Sequence, residues 1–240
     1  MTAPDDLAAM VLAAGFGKRM RPVTDTRPKP LVAVGGRTML DRALDRLVAA
    51  GIRRAVVNVH YLGDMIVAHL ADRHDLAITI SDERAAPEPL ETGGGIRLAL
   101  SRLGPTFLVL NSDSLWTEPG PSNIARIITG WDPERMDILL LLAPRESLGY
   151  DGRGDYRLAS DGRLARREAA GTAPHVYAGV ALVKAALFAE APAGAFSLNV
   201  LFDRAERAGR LFGLKLDGDW LHVGTPEALE AAESRLAALP

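Results

Sequence analysis

No cysteine occurs in the 240 residues, so disulfides, thiolate nucleophiles and cysteine-held zinc are excluded, and a reducing compartment is compatible with the chain. Long hydrophobic runs are missing too. The longest, ILLLLA at 138–143, falls far short of the roughly 20 residues that span a bilayer and suits a buried strand. Neither sign of charge dominates: 28 Lys and Arg stand against 30 Asp and Glu, for a formal net charge of -2. That balance gives no global attraction to nucleic acid or to an anionic membrane, so phosphate chemistry needs a local cluster. Aromatics make up only 5% of the chain, and Trp116, Trp131 and Trp220 are not interleaved with basic residues as a single-strand nucleic-acid surface requires. The opening MTAPDD is acidic and precedes no long apolar run, so no signal peptide is visible. These absences predict a cytoplasmic protein with neither nucleic-acid nor membrane partners.

What is present is ordinary globular material, 48% apolar and 24% charged, long enough to bury a full core. Apolar runs at 8–13, 55–59, 76–80, 106–110 and 137–143 read as strands. Between them Leu40, Leu44, Leu47 and Val48 form one helical face, and Met65, Ile66, His69 and Leu70 a shorter one. The strands are continuously apolar, which indicates parallel strands covered on both faces. Residues 1–143 therefore predict an α/β, Rossmann-like, doubly wound, mostly parallel mixed sheet. Later, 154–169 reads as a hairpin around Asp161-Gly162, 176–183 and 211–216 as strands, and 197–208 as a helix. A last helix starts at Pro226 with Thr225 as its N-cap. No linker separates two units, so one domain over 1–240 is expected.

The densest cluster is MVLAAGFGKRMRPVTDTRPKPL at 10–31. A dinucleotide fingerprint would need a third glycine and an immediate helix, yet Met20 and Pro22 stand there. A Walker loop would need other residues at Leu12 and Arg19. A nucleoside triphosphate loop of another kind remains, against the plain alternative of a solvated basic loop. In it Ala13, Ala14, Gly15 and Gly17 admit phosphates close to the backbone, and Arg19 adds a charged fork. Pro28 and Pro30 stiffen the chain around Lys29, fixing one ammonium in place.

This segment closely resembles the signature of the sugar-1-phosphate nucleotidyltransferases, L-x-x-G-x-G-x-R-[LM]-x-P-x-T followed by P-K-P-[LM]. PLETGGG at 89–95, GRGDYR at 152–157 and VGTPE at 223–227 extend the resemblance over nearly the whole length. It implies transfer of a nucleotidyl group from a nucleoside triphosphate, UTP first, to a sugar 1-phosphate, N-acetylmuramate 1-phosphate first, with release of pyrophosphate. A UDP-sugar for cell-wall recycling would result. Mannose-1-phosphate guanylyl transfer is the alternative, and a non-catalytic nucleotide-binding module a third. The nucleotide-binding half would be 1–118; 119–240 would carry a small β-hairpin sugar subregion and the C-terminal helix. The protein would be a monomer or a small homo-oligomer.

The resemblance makes Arg19, Lys29 and Asp113 catalytic, with Leu12, Ala13, Ala14, Gly15, Gly17, Leu90, Thr92, Gly93, Gly94 and Asn111 holding the nucleotide. In PLETGGG the missing side chains would let a base lie on the backbone, with Thr92 or nearby amides at its edge; a plain glycine-rich helix start is the alternative. Asp113, just past an apolar strand, would hold Mg²⁺, though aspartate also closes strand ends by local hydrogen bonds. His222 stands where the family has a second aspartate. It would ligate metal, with Mn²⁺ favoured, or donate to phosphate, or only pack. For the sugar the resemblance points to Gly154, Asp155, Glu168, Ala178, Gly179 and Asn199. Against these stand a turn cap at Asp155, a solvated face around Glu168 and a bulge at Gly179. Arg153 and Arg157 are the cations available to an acidic sugar.

Overall fold

The computed structural model describes residues 6–238; the acidic opening at 1–5 and the last two residues of the expected domain lie outside them. In chain order the strands are β1 (Ala8–Leu12), β2 (Ala33–Val34), β3 (Arg37–Thr38), β4 (Arg54–Val59), β5 (Ala77–Asp82), β6 (Thr106–Asn111) and β7 (Ser114–Trp116). They continue with β8 (Ile138–Pro144), β9 (Tyr156–Leu158), β10 (Leu164–Arg166), β11 (His175–Lys184), β12 (Leu211–Lys215) and β13 (Trp220–His222). The helices are α1 (Met39–Ala49), α2 (Gly63–Leu70), α3 (Glu91–Ala99), α4 (Asn123–Thr129), α5 (Asn199–Arg207) and α6 (Pro226–Ala237). Among the described residues no helix is long and apolar enough to cross a membrane.

The main sheet is mixed, with strand order β10-β9-β11-β6-β1-β4-β5 and with β8 and β12 continuing from β11. β5, β4, β1 and β6 are parallel neighbours, and so are β8 and β12. β11 is the antiparallel hinge of the sheet, bonded to β6, β8 and β9. Alternate residues of one strand enter different cores: Ala9 and Val11 pack on one face, Ala8 and Met10 on the other. This is the physical reason for the unbroken apolar run, since both faces of the sheet are covered. A third, smaller core of Met20, Val32, Val34, Met39, Leu115, Leu221 and Val223 lies beneath the basic segment.

Local chemistry sets the helix starts. Thr38 accepts from the Asp41 N–H at 3.0 Å to cap α1, and Thr225 accepts from Ala228 N–H to cap α6 behind Pro226. One expectation is corrected. Met65 is 39% exposed and, like the exposed His69, lies one position round the helix from the buried Ile66 and Leu70. The hairpin forms as expected, β9 pairing with β10 as far as Leu158↔Leu164, with Asp161 and Gly162 in its turn and Gly162 at φ 89°.

An ion-pair cluster ties the far end of this sheet. Asp137 lies 2.9 Å from Arg210 and 3.1 Å from Lys184. Burial pushes its carboxyl up, but the hydrogen bonds and charges of Arg210 and Lys184 outweigh this and hold it below the ordinary 3.8. On acidification the unfolded chain therefore takes up the proton first, so this stabilisation is full above about pH 4 and fades as the pH falls through the folded value. Asp137→Asn should lower stability near neutrality and flatten the loss between about pH 5 and pH 3, as read by urea unfolding. A parallel acid limb in both proteins would remove Asp137 from that role.

Candidate active site

A cleft of about 390 Å³ opens at the carboxyl ends of β1 and β6, the edge where open parallel sheets present ligand sites. Of the sequence-derived residues, Leu12, Ala13, Ala14, Gly15, Gly17, Arg19, Lys29, Thr92, Asn111 and Asp113 line it. The segment after β1 forms no continuous helix; it runs through three short 3₁₀ turns, Lys18–Met20, Val23–Asp25 and Lys29–Leu31. Gly17 is where these turns close on each other. It sits at φ 63°, and a Cβ there would stand 3.0 Å from Lys29 Cβ and 3.1 Å from Thr24 Cγ2. Thr24 Oγ1 also donates to the Gly17 carbonyl at 2.9 Å. A side chain at 17 would therefore push Lys29 away as well as strain the turn.

Lys29 follows Pro28 in extended conformation and precedes Pro30 inside its turn. Its Nζ donates to Asp113 Oδ2 at 2.6 Å, with the lysine side chain 12% and the aspartate 36% exposed. Burial pushes the Asp113 carboxyl up, but the charge and hydrogen bond of Lys29 outweigh that and hold it below the usual value. Asp113 is thus an anion at neutral pH. Ser112 donates through both N–H and Oγ–H to the Leu12 carbonyl, fastening the turn that carries Asp113 to the end of β1.

His222 is not part of the cleft wall. It lies one step behind, on β13, whose residue 222 pairs with Ser114 beside Asp113. A Cβ on Gly224 would sit 2.7 Å from His222 Nε2 and 3.5 Å from Arg19 Nη1, so the imidazole and the guanidinium face one small gap at the cleft margin. Tyr150 and Trp220 stack around the ring, with centroids at 5.7 and 5.1 Å. Burial pushes the His222 pKa down; Asp113 opposes this, and Lys29 and Arg19 reinforce it, leaving the ring neutral at pH 7. Among the described residues no three His, Cys, Asp or Glu side chains come together as a metal site. Asp113 and a neutral His222 supply two protein donors, which suits a divalent ion that takes its remaining ligands from phosphate oxygens and water.

Several of the expected nucleotide contacts also have partners within the chain. Gly93 and Gly94 both donate their N–H to the Phe196 carbonyl. A Cβ on Gly93 would run into the Phe196 ring and one on Gly94 into the Gly194 carbonyl. Their missing side chains admit the 194–196 segment. Leu90 donates its N–H to Glu83 Oε2, and Thr92 Oγ1 accepts from Leu198 N–H at 2.8 Å. The N–H of Ala13 is taken by Asn58 Oδ1, so it is not free for phosphate.

None of the six sugar residues lines the cleft. Gly154, at φ 74°, lies against the Ala173 carbonyl and accepts from Arg167 Nε. Asp155 Oδ2 accepts from Tyr177 N–H at 2.9 Å, and Asn199 Oδ1 from Arg166 at 3.0 Å. Glu168 is exposed, two residues beyond the end of β10. The Ala178 carbonyl accepts from Ser114 Oγ–H, and Gly179 makes room for Ser114. Arg157 donates to the Thr172 carbonyl.

Four residues of interest had no place in the sequence reading. Asn58 and Glu83 are buried and line the cleft; the polar residue interrupting AVVNV was the available signal. Glu91 lines it at φ 58°, a left-handed conformation costly for a side chain of this kind. The Tyr177 hydroxyl is buried without a hydrogen-bond partner among the described residues, and burial, with Tyr156 and Asp113 adding, pushes it far up.

The family model described as Nucleotidyl transferase matches residues 8–143. The chain is 50% identical over 236 residues, 95% of its length and 96% of the relative's, to the N-acetylmuramate alpha-1-phosphate uridylyltransferase of Caulobacter vibrioides. It is 36% identical to the enzyme of that name from Neisseria meningitidis serogroup B, over 95% and 97% of the two chains. Mannose-1-phosphate guanyltransferase of Aspergillus fumigatus is 40% identical over only 119 residues, 47% of this chain and 32% of the relative. Among solved structures the inositol-1-phosphate CTP transferase of T. maritima superposes with a TM-score of 0.77 over 98% of both chains at 18% identity.

Proposed function

The chain belongs to the nucleotidyl transferase family, and from that premise we propose that it transfers a uridylyl group from UTP to N-acetylmuramate 1-phosphate with release of pyrophosphate. The observation that carries this reading is the Lys29–Asp113 pair at 2.6 Å in the glycine-lined cleft. Relatives similar over the full length support the uridylyl and muramate choices; the guanyl-transferring relatives align over less than half of the chain.

The sugar phosphate is ionised at neutral pH, because its second pKa is about 6, so its oxygen attacks the α-phosphorus without a general base. A bond forms between that oxygen and the α-phosphorus as the bond to the bridging α–β oxygen breaks, and pyrophosphate leaves with the electron pair. The protein supplies positioning and charge. Lys29 and Arg19 neutralise the phosphates, and the backbone of Ala14–Gly17 lets them approach. Asp113, with His222 behind it, would hold a divalent ion that withdraws charge from the phosphate oxygens. On this reading the UDP-sugar would serve cell-wall recycling in the cytoplasm.

Pyrophosphate release from UTP, GTP, CTP and dTTP against a panel of sugar 1-phosphates tests the reading. Highest kcat/KM with UTP and N-acetylmuramate 1-phosphate supports it; preference for GTP with mannose 1-phosphate replaces it, and nucleotide binding without turnover leaves only a binding module. His222 gives a second check. A hard ion such as Mg²⁺ prefers carboxylate to imidazole, so His222→Asp should shift the ratio of Mg²⁺- to Mn²⁺-supported rates about tenfold towards Mg²⁺. Equal ratios in the two proteins would show that the ring only packs.

A further inference from the structure

A chain of buried polar groups runs along the wall of the cleft. Ala13 N–H donates to Asn58 Oδ1 at 2.7 Å, Asn58 Nδ2 donates to Glu83 Oε1 at 2.6 Å, and Leu90 N–H donates to Glu83 Oε2 at 3.0 Å. Asn58 and Glu83 are each 2% exposed. The three bonds tie together the exits of β1, β4 and β5 and the turn entering α3. Gly95 makes the space: a Cβ there would stand 2.5 Å from Glu83 Oε1 and 2.8 Å from Asn58 Nδ2.

The polarity of this chain is fixed at every atom. Both backbone ends are donors, so Asn58 must turn its oxygen to Ala13 and its amide hydrogens to a group that only accepts. An ionised carboxylate is such a group, and it has a second oxygen left for Leu90. Among the described residues Glu83 has no cationic partner, and a buried carboxylate held by hydrogen bonds alone costs more than apolar packing of the same volume. The bonds act instead on geometry, since Ala13 begins the glycine loop and Leu90 precedes Glu91 and Thr92, both on the cleft wall.

We propose that Asn58 and Glu83 are positioning residues for the nucleotide: they hold the glycine loop and the Leu90 turn at the separation that admits the nucleoside, and they act through those two backbone segments. The proposal rests on the uridylyl-transfer reading of the cleft.

The test exchanges the polarity of the central bond. Glu83→Gln turns an amide against either Asn58 Nδ2 or Leu90 N–H, and Asn58→Asp sets two carboxylates face to face. Combined, the introduced amide donates to the introduced carboxylate, while Ala13 and Leu90 keep their acceptors. Each single variant should raise KM for UTP about tenfold with kcat and KM for the sugar phosphate within about twofold, and the double variant should return KM for UTP to within about threefold of the wild type. Amide hydrogen exchange at 13–17 and 88–92 without nucleotide should be faster in the singles and restored in the double. Single variants with lowered thermal stability but unchanged KM and exchange would make the pair merely structural. A double variant no better than the worse single would overturn the proposal, and if a single does not fold, the folded double decides by its KM and exchange. Failure of wild-type protein to use UTP would overturn the functional reading instead, and the exchange comparison would still decide this one.

Discussion

Lys29→Met should lower kcat about a thousandfold, and Asp113→Asn by a similar factor, with the double variant little worse than either. The expectation follows from the pairing of the two side chains at 2.6 Å. Methionine keeps most of the stem of Lys29, whose Cβ lies beside Gly17 and whose side chain is largely buried, so the loss reports the ammonium rather than a cavity. That ammonium is the nearest fixed positive charge to Asp113 and is only 12% exposed, so its effect on a phosphate in the cleft is poorly screened by water. Removing it also takes away the interaction that outweighs burial at Asp113, so the carboxyl becomes easier to protonate and a weaker ligand. Two groups that depend on each other in this way lose function together, hence the non-additivity. Steady-state pyrophosphate release at saturating UTP measures it. A tenfold or smaller loss in Lys29→Met, or independent effects that multiply in the double variant, would separate the pair from the chemistry.

The fold was legible where a single force dominated. β1, β8 and the middle of β6 are continuously apolar because alternate residues enter cores on opposite faces of the sheet, and that pattern has one physical meaning. The glycine and proline spacing of 10–31 was similarly direct: Gly17 takes a left-handed turn, and Pro28 and Pro30 flank Lys29. β11 was recognised as a strand, but its antiparallel place between β6 and β8 was not, since strand order depends on contacts far apart in sequence. What the glycines of 93–95 pack against was not legible, because a missing side chain does not say what fills the gap. Phe196, Gly194 and the Glu83–Asn58 pair fill it, and all of these are distant in sequence. Asn58 and Glu83 escaped notice for the same reason: a polar residue in an apolar strand identifies itself only when its partner is known. Among the sugar residues, Asp155 and Asn199 have their carboxylate and carbonyl oxygens engaged by Tyr177 and Arg166, where the resemblance placed a ligand.

Gly179→Ala should cost about 2–4 kcal/mol and lower Tm by about 5–15 °C, with a fall in kcat and little change in KM for the sugar phosphate. Gly179 lies at φ 81° where the pairing of β11 with β8 shifts register between Tyr177 and Ala181, so a side chain there is strained wherever it points. A Cβ would also stand 2.9 Å from both Cβ and Oγ of Ser114 and 3.1 Å from Asn111 Cβ. Neither neighbour yields easily. Ser114 is buried, donates to the Ala178 carbonyl and receives Trp220 Nε1 at 3.4 Å, while Asn111 ends β6 on the cleft wall. Between them sits Asp113, so relief of the clash moves the carboxylate away from Lys29 and slows the chemical step. Gly36 provides the comparison that separates strain from crowding. It has φ 73° with nothing within 4 Å of where a Cβ would be, so Gly36→Ala carries the backbone cost alone, about 1–2 kcal/mol. The difference between the two variants is then the crowding against Ser114 and Asn111. If Gly179→Ala matched Gly36→Ala in Tm while its KM for the sugar phosphate rose tenfold, the glycine would belong to the sugar after all, and the space beside Ser114 would be read as part of the sugar pocket.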